Sequence, residues 1–82
     1  MSEGDLNLLP AQRTIGSYCL RAPNHLSASG FKGMLRAADS IKDAAVKDPV
    51  VYRDDLARAM RELMSCDPPT YRKLKATFDT LP

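Results

Sequence analysis

Tryptophan is absent from this 82-residue chain, histidine occurs once, cysteine twice and glycine four times. These scarcities exclude most chemistry. His25, in the stretch "PNHLS", could serve as a general base only beside an oriented nucleophile. Cys19 and Cys66 are the candidates, and no spacing links either of them to it. Zinc sites show ligands paired at short spacing, such as C-x2-C, and Cys19, His25 and Cys66 form no such pair. The run "SGFKG" lacks the lysine–hydroxyl ending of a phosphate-binding loop and follows no strand. Asp54 and Asp55 are adjacent, so on a helix they diverge by about 100° and serve the helix dipole better than a metal. The expectation is a non-enzyme with no cofactor and no metal.

Long apolar runs are missing too. No stretch approaches the roughly 20 residues that span a bilayer, and the opening Met1 to Asp5 has neither the cationic nor the apolar region of a secretory leader. This reads as a cytoplasmic protein whose two cysteines are reduced and pack as small hydrophobes. Charge of one sign is also scarce. Twelve Lys and Arg against ten Asp and Glu leave a net +2, too weak a field to mark a nucleic-acid binder. The excess gathers at Arg72, Lys73 and Lys75.

What the sequence does have is helical periodicity. Over residues 28–47, Phe31, Met34, Leu35, Ala38, Ile41 and Ala45 share one face, with Lys32, Arg36, Asp39, Ser40, Asp43 and Lys47 opposite. Ser27 or Ser29 is placed to cap its start. Gly30 and Gly33 weaken its first turns by up to about 1 kcal/mol each relative to Ala, which suggests close approach of another backbone. Residues 49–64 follow, with Asp48 as cap, Pro49 at the first helical position, and Tyr52, Leu56, Met60, Leu63 and Met64 as the buried stripe. After a break at Ser65-Cys66-Asp67, Pro68 and Pro69 open a third helix of about three turns carrying Tyr71, Leu74, Phe78 and Leu81. The segment "LLPAQRTIGSYCLRAP" reads as a helix from Pro10 with Ala11, Ile15, Tyr18 and Cys19 inward, although "TIGSYCL" alone suits a strand. A lone strand would have no partner. The fold class is therefore all-α: a flexible terminus over residues 1–6, then one domain over 7–82, a small bundle of three to four helices with a helix-turn-helix-like pair in its C-terminal half.

Two sets of residues offer binding roles. Arg53 falls on the apolar side of its helix, where it either snorkels past the core edge or serves an interface. Lys42 poses the same question on the longest helix. With Met60, Met64 and Tyr71, Arg53 forms the candidate protein-binding set, the methionines lending an adaptable apolar surface. Thr70, Arg72, Lys73, Lys75 and Thr77 form the alternative, a DNA-facing helix, although Pro68 and Pro69 occupy the turn from which a recognition helix reads bases.

"HLSASGFKGMLRAADSIKDAA" followed by "YRDDLA" resembles a helix-turn-helix-variant domain of bacterial conjugative-element regulators, found both in activators and in small antiactivators. The matching residues are Leu26, Ser27, the run Met34-Leu35-Arg36-Ala37 with Asp39, and Tyr52-Arg53 with Ala57. The two pieces are more widely spaced than in that family, and the family's usual ending does not follow Leu74. The resemblance implies a small regulator that binds a transcription activator and blocks it. The expected function is accordingly a non-enzymatic regulatory protein acting through a protein partner, with DNA binding through residues 52–81 as the alternative.

Overall fold

The computed structural model describes residues 7–21 and 28–82. His25, the possible cap Ser27 and the terminus 1–6 lie outside them. Among the described residues the chain forms four helices and no strand: α1 (Leu9–Arg21), α2 (Ala28–Lys47), α3 (Pro49–Cys66) and α4 (Pro68–Phe78). The helical reading of the first segment holds, and "TIGSYCL" lies within α1.

The two short connections are built by one device. Asp48 is the single residue between α2 and α3, and Asp67 the single residue between α3 and α4. Each sits in extended backbone, with a proline next at a position whose N–H has no helical partner. Asp48 Oδ1 accepts from the Val51 N–H at 3.4 Å. Asp67 closes α3 with its own N–H, which donates to the Leu63 carbonyl at 2.9 Å. Its carboxylate takes the Thr70 hydroxyl rather than a backbone N–H. The break expected over Ser65-Cys66-Asp67 is thus one residue, because Ser65 and Cys66 complete the last turn of α3. Ser29 lies inside the first turn of α2 and does not precede it as a cap.

Helix directions follow from who meets whom. Gln12 Nε2 donates to the Asp55 carbonyl at 2.8 Å, and Cys19 meets Cys66. Partner numbers rise together, so α1 and α3 run parallel. Thr14 lies opposite Gly33 and Tyr18 opposite Phe31, so α1 and α2 run antiparallel. α4 lies across α2 and α3, with Lys73 Nζ reaching Asp39 of α2 at 3.8 Å.

The core is a seam of fully buried side chains from all four helices: Ile15, Met34, Ile41, Leu56, Leu63 and Leu74. Ala38, Ala44, Ala45 and Ala59 fill between them; their small size lets the helix axes approach. The α2 stripe matches the periodicity at Met34, Ala38, Ile41 and Ala45, whereas Leu35 is only partly buried and Phe31 stays partly in water. On α3 the buried row is Tyr52, Leu56, Ala59 and Leu63. Met60 is only half-buried and Met64 is 55% exposed. The expected stripe was rotated toward the bulkier residues, whereas packing put the smaller Ala59 inward. Gly33 does not permit a close backbone approach either. Among the described residues outside its own helix, a Cβ placed there would meet only Thr14 Cγ2, at 4.0 Å, an ordinary contact.

Candidate binding surfaces

The cationic helix α4 comes out less available than its sequence suggests. Thr70, expected on the open face, is only 4% exposed and donates its hydroxyl to Asp67 Oδ2. Thr77 is half-buried, and its carbonyl accepts the Thr80 hydroxyl at 2.7 Å. Lys75 Nζ donates to Asp79 Oδ2 at 2.7 Å. That hydrogen bond and the Asp79 charge raise the Lys75 pKa above its ordinary 10.5. Lys73 reaches Asp39, which Lys42 also approaches at 3.7 Å. Of the five residues suggested for DNA, only Arg72 is both exposed and without a hydrogen-bond or ion-pair partner among the described residues.

The protein-binding set is divided as well. Arg53 is half-buried, donates from Nη2 to the Pro82 carbonyl, and holds its guanidinium carbon 5.8 Å from the centre of the Phe78 ring. Its place on the apolar side of α3 is explained by this cation–π contact, and its hydrogen bond ties Pro82 to the bundle. Met60 and Tyr71 pack partly buried against the core, leaving Met64 as the open member.

Two surfaces were not foreseen. One is aliphatic. Val46, Val50 and Val51 bracket the Asp48 corner and are 57%, 92% and 42% exposed. Val50 was hidden from a periodicity reading because it lies next to the cap and off the stripe. The other is a cleft of about 390 Å³ between α1 and the first turns of α2. Arg13, Ser17, Tyr18 and Arg21 of α1 line it, with Gly33 on the α2 wall. The signal was present in the sequence: α1 carries two arginines and no acid.

Cys19 and Cys66 form a disulfide, with Cα atoms 5.5 Å apart, inside the usual bridging range. This overturns the reading of two separate, reduced thiols, although Cys19 does pack, partly buried, against the core. The cysteines are 47 positions apart in sequence, and only the parallel packing of α1 on α3 brings them together.

The fold and these surfaces define an all-α bundle, with four helices among the described residues and exposed apolar and cationic patches. Against family models, curated proteins and solved structures alike, the chain finds no match. No helix among the described residues is long and apolar enough to cross a membrane.

Proposed function

We propose that this chain is a small non-enzymatic regulator that acts by binding a protein, in the manner of an antiactivator docking on a transcriptional activator. The observation that carries this reading is the exposed trio Val46, Val50 and Val51. Aliphatic side chains held in water at a rigid, capped corner gain about 25 cal/mol for each Å² that a partner covers. Met64 offers a second open apolar side chain, near the other end of α3. Arg53 is engaged with Phe78 and Pro82, and Met60 and Tyr71 pack partly buried against the core, so none of the three is an anchor of this surface. The resemblance noted over residues 25–57 points to the same kind of regulator. DNA binding through α4 rests on Arg72 and on cations already engaged by acids.

The test is affinity capture with the wild-type chain and with Val50→Asp as bait, followed by mass spectrometry. At 92% exposure, Val50 tolerates the charge without loss of fold, which circular dichroism checks. The expected result is one transcription regulator retained by the wild type after nuclease treatment and lost from the variant. Capture that vanishes with nuclease would overturn the reading in favour of DNA. Location can be checked alongside. A cytoplasmic setting goes with free thiols and an oxidising compartment with the bridge, so alkylating the protein directly on cell lysis separates the two.

A further inference from the structure

The α1–α2 cleft has a different chemistry from the valine corner and lies near the opposite end of α2. Gly30 and Val46 are sixteen residues apart, or about 24 Å of helix. We propose that this cleft binds a small phosphate ester carrying a planar ring, of the nucleoside monophosphate kind. The inference is independent of the protein-partner reading.

Four observations support it. First, its volume of about 390 Å³ falls within the range of small-ligand pockets. Second, its charge is of one sign: Arg13 and Arg21 line it, and no described residue lining it is acidic. Arg13 has no acid partner among the described residues. Among the described residues Arg21 uses only Nε, in a long 3.5 Å contact with the Ser17 carbonyl, and its two terminal nitrogens have no partner there. The two arginines are eight residues apart on α1, about 12 Å along the axis, a span their long side chains can close around one anion. Arginine forks match phosphate oxygens two at a time, and the Ser17 hydroxyl on the same wall can add a donor.

Third, Tyr18 gives the cleft an aromatic wall. Its ring is held against Phe31, centroids 6.2 Å apart and tilted by 53°, which braces it as a surface for a flat ring. Fourth, Gly33 has no packing reason to be glycine. The nearest atom to an added Cβ would be 4.0 Å away, so alanine would fit and would favour the helix. A bare wall at a position lining the cleft leaves room for a ligand.

Calorimetric titration of the full chain with adenosine monophosphate, inorganic phosphate and adenosine tests this at low salt. The nucleotide is expected to bind more tightly than either fragment, with binding weakening as salt rises. Arg13→Ala and Arg21→Ala should each lower its affinity about tenfold. Gly33→Ala should weaken binding while raising the melting temperature, so its loss of binding cannot be ascribed to unfolding. Equal affinity for phosphate and nucleotide, binding indifferent to both arginine substitutions, or no binding at millimolar nucleotide would each overturn the proposal.

Discussion

Thr70 shows how a single residue changes meaning between sequence and structure. Ahead of three cations it suits a DNA-facing helix. In the fold it is buried and its hydroxyl serves the Asp67 carboxylate. Thr70→Ala would leave that carboxylate without its donor, and hydrogen bonds to charged groups are worth about 1.5–3 kcal/mol. Urea unfolding should show a loss of that order; an unchanged midpoint would show that the Thr70–Asp67 bond adds nothing to stability. Lys75 provides a second check. Its folded pKa lies above its ordinary 10.5 because Asp79 accepts its hydrogen bond and adds a negative charge. A raised folded value means that the contribution to stability is fully present below about pH 10.5 and is lost as pH climbs through the folded pKa. Both side chains are about half in water, so the effect on stability is small and screened by salt. The titration itself is the better readout: NMR should place Lys75 above an ordinary lysine, and Asp79→Asn should return it there.

At the scale of elements, α3 separates what periodicity reveals from what it does not. The spacing of Tyr52, Leu56 and Leu63 identified the helix and most of its buried row. It could not choose between Ala59 and Met60 for the fourth place, since both lie within the same broad arc. Packing settles that choice: Ala59 is fully buried, where a small side chain fits a narrow gap between helices, and Met60 is only partly buried. Leu56→Ala should therefore cost about 2–5 kcal/mol, as fully buried leucines do. Met64→Ala should stay within about 0.5 kcal/mol, as at an open surface site. Equal costs for the two in chemical denaturation would show that the face of α3 is assigned wrongly. The starts of α3 and α4 were legible because an aspartate followed by proline is a local signal. The single-residue break was less so, because Ser65 and Cys66 look like loop residues until they are seen extending the last turn.

For the whole molecule, the Cys19–Cys66 bridge has the largest consequence. It joins α1 to the end of α3 across 47 residues of chain, and closing a loop of that length restricts the unfolded chain by about 4 kcal/mol in the chain-entropy account. An 82-residue protein buries too little surface to make that a minor term. Thermal melts with and without a reductant should differ strongly, and Cys19→Ser with Cys66→Ser should reproduce the reduced melt without responding to reductant. Identical melts would mean that the bridge does not form. The candidate surfaces behave in the same way. The two arginines of α1 and the glycines of α2 are plain in the sequence, but a cleft exists only where the two helices face each other.

The sequence by itself determined the helices, the corners between them and most of the buried stripe. These depend on neighbours within a few positions, where side-chain period, capping oxygens and proline geometry act. Tertiary structure alone decided that the cysteines meet, that Arg53 closes over Phe78 and reaches Pro82, that Lys73 of α4 reaches Asp39 on α2, and that arginine, serine and tyrosine share a cleft with a glycine. Most of these join residues from different helices or distant parts of the chain, and all depend on how the helices pack, which no local pattern of residues encodes.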